Sequence, residues 1–262
     1  MVLYLFAVLK DLSFRVDLVH SSPDFVCPDP SLVIEAAIAS HAQDDTPEWR
    51  KDMRTVIRSD TDAANRQTII RLSNAFLGKA RRYKKNYFRL PHVPGKPFIV
   101  ALSNYGTPEF AFSGDVPMQH LLYDPAEERR ILKPNGSPVD LGLFRSDLYS
   151  HVSAVLYSSV ATFGKARVLS KGGENFFVQA IRIKDNVEII QISLPKSEYV
   201  ESLTDGLRLF VNPFADAPVN IDAFDDPGIR IFLPDRTGGL SVSCHAHGDL
   251  CMRLVHQVVI RN

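Results

Sequence analysis

Ser22-Pro23-Asp24-Phe25-Val26-Cys27 and Leu32-Val33-Ile34-Glu35-Ala36-Ala37 are two apolar runs on either side of the tight segment Pro28-Asp29-Pro30. The expectation is two strands joined by a sharp reversal. With the reversal centred between Asp29 and Pro30, position 24 falls opposite position 35. Directly opposed residues of an antiparallel pair keep their Cβ atoms about 4.5–5.5 Å apart on one face. Asp24 and Glu35 are then two like charges in close company. A fold that keeps both ionised normally offsets the repulsion with a bound cation, and hard oxygen ligands suit Mg²⁺ better than Zn²⁺. The alternative is an exposed hairpin whose acids face water.

Around this hairpin the chain reads as alternating strands and helices. Met1 to Leu9 is apolar, without a basic start or a small-residue cleavage site before Lys10-Asp11, which argues for a buried helix rather than a secretory leader. Its abrupt, uncapped start leads to the expectation of missing upstream sequence. Phe14 to Val19 alternates with the period of a strand. Residues 40–60 are polar and read as a loop with one short helix around Trp49. From Asp62 to about Phe88, Ile69, Leu72, Phe76, Ala80 and Tyr83 recur at three- and four-residue intervals, predicting a long amphipathic helix with Thr61 and Asp62 as caps. Leu90-Pro91-His92-Val93-Pro94-Gly95 forbids its continuation. The apolar run Pro97 to Leu102 follows as a strand. Strand, helix, strand in that order is the crossover unit of a parallel or mixed sheet.

Further along, residues 151–157, 176–181 and 187–192 read as strands, the last two joined by Lys184-Asp185-Asn186. Residues 104–150 and 195–240 are rich in Pro, Gly and Asp and read as surface loops. The expected fold class is α/β: a mixed central sheet with flanking helices, a restriction-endonuclease-like core over residues 1–105, and a strand-rich C-terminal elaboration over 106–262 packed on the same sheet. Thirty basic residues balance thirty acidic ones, so no global positive field advertises a polyanion, and contact with DNA has to come from local patches. Three cysteines, Cys27, Cys244 and Cys251, are too few for a disulfide framework and favour a reducing, cytoplasmic setting. No stretch is long and apolar enough to cross a bilayer, so no membrane partner is expected.

The order helix, strand, Pro-Asp hairpin, Glu strand, helix, apolar strand resembles the core of the PD-(D/E)XK nuclease superfamily, with the motif standing as Pro23-Asp24, ten intervening residues, then Glu35-Ala36-Ala37. The chain also looks like a bacterial family of uncharacterised proteins related to that superfamily. That likeness rests on Leu3 to Ala7, His20 with Pro23-Asp24-Phe25, Glu35-Ala36, and Ile70-Arg71-Leu72 through Lys79. It continues through Leu90 to Phe98, Ser153 to Ser158, and Asn212-Pro213-Phe214-Ala215 with Pro218. The resemblance implies that Asp24 and Glu35 hold a divalent metal, Mg²⁺, that activates water against a phosphodiester. The lysine usual two residues after the second acid is replaced by Ala37, and the glutamate expected early in the first helix is replaced by Val2.

Lys79, at the border of the helix stripe, is the candidate replacement for the missing lysine; the other reading is a snorkelling side chain. Arg81, Arg82, Lys84 and Lys85 are candidates for contact with a nucleic acid backbone, or simply a solvated helix face. His20 is a candidate for orienting groups around the metal, and His92 for fixing a loop by hydrogen bonding. Cys244-His245-Ala246-His247-Gly248-Asp249-Leu250-Cys251 invites zinc, but its spacing matches no paired ligand pattern. Gly-rich phosphate loops, dinucleotide fingerprints and serine elbows are absent. Two functions remain: metal-dependent hydrolysis of nucleic acid, or a catalytically inactive nuclease-fold module that binds nucleic acid or a protein partner.

Overall fold

The computed structural model describes residues 1–39, 61–104, 114–124, 130–172, 175–184, 188–243 and 247–257. The predicted helix around Trp49, the turn at Asp185-Asn186, and Cys244-His245-Ala246 lie outside the described residues. The fold is mixed α/β. Helix α1 (Val2–Asp11) leads into β1 (Arg15–Asp17), β2 (Phe25–Asp29) and β3 (Ser31–Ala39). Helix α2 (Thr61–Lys85) then crosses to β4 (Phe98–Asn104), with a short 3₁₀ turn at Tyr87–Arg89 between them. Next come α3 (Val116–Tyr123), β5 (Ala154–Ser158), α4 (Phe163–Leu169), β6 (Phe176–Lys184), β7 (Glu188–Pro195), β8 (Leu207–Val211), β9 (Ile229–Pro234), β10 (Leu240–Val242) and β11 (Asp249–Gln257).

Eight strands form one sheet in the order β1-β2-β3-β4-β5-β8-β9-β10, and β11-β6-β7 form a second. The pairs β3/β4, β4/β5 and β8/β9 are parallel, and the β3–α2–β4 crossover supplies the first of them. Strands β3, β4 and β5 read as nearly continuous apolar runs because both of their faces are covered. On one face Val33, Val100 and Val155 pack with Ile69, Leu72 and Phe76 of α2 and with Met118 and Leu121 of α3. On the other, Ile34, Ile99 and Leu156 pack with Leu5, Val8 and Leu9 of α1.

The periodic stripe explains α2. Ile69, Leu72, Phe76 and Ala80 are buried, and Tyr83 stacks on Phe98 with ring centroids 4.5 Å apart. Burying Leu72 and Phe76 contributes about 1.5–3 kcal/mol each, so Phe76→Ala is the single change most damaging to the helix's seat. Helix α1 is amphipathic rather than wholly buried: Val2 and Leu3 are exposed. Two segments expected to be loops carry regular structure instead. Residues 104–150 contain α3, whose Met118, Leu121 and Leu122 are fully buried, and 195–240 contain β8 and β9. Strand β8 is short and pairs with β5, remote in sequence, so the Gly and Pro at its ends dominate the local pattern. The second sheet meets the first through buried ion pairs, Arg208 with Asp249 at 2.7 Å and Arg230 with Asp249 at 3.5 Å.

Candidate active site

Strands β2 and β3 pair antiparallel with Phe25 opposite Ile34, Val26 opposite Val33 and Cys27 opposite Leu32. One step further along that register, Asp24 stands across from Glu35, just beyond the formal start of β2 at Phe25. Side chains alternate faces along a strand. Val26 and Val33 face α2, so Asp24 and Glu35, each two residues away, do so as well.

The two acids are tied by reciprocal bonds to the opposite backbone: the Asp24 N–H donates to Glu35 Oε2 at 3.2 Å, and the Ala36 N–H donates to Asp24 Oδ2 at 2.8 Å. Glu35 is only 3% exposed, which would be costly for a lone carboxylate. Helix α2 compensates it. Lys79 Nζ donates to Glu35 Oε1 at 2.6 Å, and Arg82 Nη1 reaches the same oxygen at 3.4 Å. Lys79 follows Phe76 by three residues, so the packed ring sets the stem and the ammonium emerges over β3.

Tyr87, buried in the turn after α2, also hydrogen-bonds Glu35 and takes a bond from Arg82. Burial first, and then the Glu35 bond and charge, push its phenol up to about 12. Its hydroxyl therefore stays protonated and donates to the carboxylate. Nothing in the sequence around Asn86-Tyr87-Phe88 marks this role; only the turn that follows α2 brings the ring back. The Asp24 carboxyl is raised above the usual aspartate value, chiefly by loss of hydration and then by the charge of Glu35. The Ala36 N–H bond, Lys79 and Arg82 pull the other way without cancelling the rise. Asp24 itself remains an exposed residue, so this is an acid at a rim, not a buried one.

The four basic candidates divide. Arg82 joins the acid cluster; Lys84 donates to the Leu148 carbonyl at 3.3 Å; Arg81 and Lys85 are exposed on the helix. His20 lies 3.9 Å from Asp17 and stacks on His92, with ring centroids 3.7 Å apart. His92 Nε2 is 2.8 Å from the Ser22 carbonyl, so the stack sits two residues from Asp24 along the chain. Ala37, at the position of the lysine usual in the nuclease motif, packs into the core beside α2. Val2, Leu3, Ala37, Ile38 and Lys79 line a cavity of about 640 Å³ at this end of β3.

Two carboxylates are a donor set that suits Mg²⁺, which is commonly held by one or two carboxylates with waters and substrate phosphates completing its shell. They do not make a closed zinc site. Among the described residues no group of three or more His, Cys, Asp and Glu side chains is placed to hold a metal. In the region read for zinc, Cys251 is buried in β11 with Sγ 3.7 Å from Arg208 Nη2, and burial pushes its thiol up to about 11, far from a ligand thiolate. No helix among the described residues is long and apolar enough to cross a membrane. No family model, curated protein or solved structure matches the chain.

Proposed function

We propose that the chain is a metal-dependent phosphodiesterase acting on nucleic acid, in the manner of the PD-(D/E)XK nucleases, with Asp24, Glu35 and Lys79 as its catalytic residues. The observation that carries this reading is the Lys79 ammonium 2.6 Å from Glu35, on the same face as Asp24. It is the substitute for the lysine missing at Ala37, arriving from helix α2 instead of from β3.

Asp24 and Glu35 would hold Mg²⁺ through their carboxylate oxygens. The bound ion would supply polarisation of the phosphoryl oxygen and a nucleophilic hydroxide at neutral pH. Lys79 orients the attacking water and offsets charge that grows on the phosphate in the transition state. Arg82, more than half exposed beside the same carboxylate, is free on its outer side to meet a phosphate as a charged donor. Tyr87 and the Asp24 N–H keep Glu35 in one rotamer, so little reorganisation accompanies the reaction.

The test is incubation of the full chain with single- and double-stranded DNA and RNA in Mg²⁺ or Mn²⁺, beside Glu35→Gln and Lys79→Ala, with thermal melts confirming that each variant folds. Glu35→Gln is expected to lower cleavage by about 10³-fold or more. Calorimetric Mg²⁺ binding is expected for the wild type and lost in the same variant. Cleavage that persists in Glu35→Gln, or a wild type that neither binds the ion nor cuts any of the four substrates, overturns the catalytic reading in favour of an inactive binding module.

A further inference from the structure

The seven residues 86–92 do three things at once. Tyr87 bonds Glu35; Phe88 stands 44% exposed with the Arg89 guanidinium 5.3 Å from its ring centroid; His92 stacks on His20 and holds the Ser22 carbonyl ahead of Asp24. The His20 side chain is one-third exposed, and the Leu18-Val19 segment leading to it stands in water at 71% and 86% exposure. Single exposed apolar side chains are ordinary on any protein. Here Phe88 directly follows Tyr87, which bonds Glu35, and the His20/His92 stack is held at the Ser22 carbonyl two residues before Asp24.

Charge narrows the ligand. A duplex presents a phosphate charge about every 1.7 Å of axis and is usually met by a broad positive surface. This chain has a formal net charge of zero, and the last two turns of α2 with the turn that follows carry Lys79, Arg81, Arg82, Lys84, Lys85 and Arg89. A basic helix end beside exposed rings is the chemistry of single-strand recognition, in which the backbone follows the charges and unpaired bases stack on aromatic or guanidinium faces. We propose that the ligand is a single-stranded nucleic acid whose bases stack on Phe88 and on the His20/His92 pair while its backbone runs along the basic end of α2. This rests on the phosphodiesterase reading for its purpose, but its test does not depend on cleavage.

The experiment is fluorescence anisotropy of the full chain in EDTA, with labelled oligo-dT, oligo-rU and a DNA duplex, each about 15 nucleotides long. Either single strand is expected to bind at least about tenfold more tightly than the duplex. Phe88→Ala, at an exposed position, and His20→Ala, at a partly exposed one, are each expected to weaken single-strand binding by about tenfold and to leave any duplex binding unchanged, with melting temperatures within a few degrees of the wild type. The ratio of dT to rU affinity shows whether DNA or RNA is the better ligand. Equal or tighter duplex binding, absence of single-strand binding, or single-strand affinity unchanged in both variants overturns the proposal. A chain that binds single strands but cuts nothing upholds this inference while removing the catalytic one, so the two fail separately.

Discussion

Glu35 and Arg208 are both charged residues in the middle of buried strands, yet the company they keep differs. Arg208 is fully buried, bonded to Asp249, to the Gly206 and Leu250 carbonyls, and close to Asp115, with no partner more than about a tenth exposed. Glu35 is as well hidden, but Lys79 is about a fifth exposed and Arg82 more than half. The first cluster is sealed: its charges, Arg230 among them, meet one another and backbone carbonyls, and it joins β8 of the main sheet to β11 of the small one. The second has an open edge through which an ion, a water or a phosphate can enter. The same inventory of charges is thus a joint in one place and a candidate reaction centre in the other, and solvent access decides which.

The largest effect should come from breaking the sealed side. Arg208→Ala takes from the buried Asp249 its nearest cation, leaving Arg230 at 3.5 Å to serve both Asp249 and Asp115, and removing one partner of such a cluster costs about 4 kcal/mol, lowering Tm by roughly 8–16 °C. Urea unfolding of the variant checks this, and a loss below about 1 kcal/mol would mean that water reaches the cluster and the contrast is false.

Acid gives the next effect, on the α2 side. Burial first and then Lys84 lower His151 from 6.5 to about 4, and its ring nitrogen Nε2, 3.2 Å from the Ala80 carbonyl, donates as the neutral imidazole. Because the folded value lies below the unfolded one, this stability is present above pH 6.5 and is lost as pH falls from there towards 4. Discounted for partial exposure, the loss is about 2 kcal/mol. It should appear as a lower urea midpoint at pH 4.5 than at pH 7, and His151→Gln should flatten that difference; an undiminished slope would assign it to other groups.

Lys79→Ala should cost least, about 1 kcal/mol, because Glu35 keeps Arg82, Tyr87 and the Asp24 N–H and water can fill the vacated edge. A cost equal to that of Arg208→Ala would show that the Glu35 cluster is sealed after all, and would weaken its claim to be a reaction centre.

Much of the hairpin is legible because its signals are local. Pro28-Asp29-Pro30 leaves one place to reverse, and across so short a turn the partner of each residue follows by counting, which brings 24 opposite 35. Helix α2 is legible for the same reason, a stripe of five positions ended by Pro91. Strand β8 is not: Arg208 interrupts its apolar run, and Gly206 and Pro213 on either side read as loop. That arginine is tolerable in a strand only because Asp249, forty-one positions later, comes to meet it. Tyr87 is invisible for a related reason, since its hydroxyl reaches Glu35 only once α2 has crossed the sheet and the chain has turned back.

By itself, the sequence determined the strand and helix periodicity around the hairpin and the opposition of two acids across a short turn, because these depend on neighbours in the chain. Only the tertiary structure decided that Lys79, Arg82 and Tyr87 converge on Glu35 while Arg208 is walled in with Asp249. Whether a charge meets its partner, and whether water can reach the pair, depends on which distant surfaces are pressed together, and no local pattern carries that.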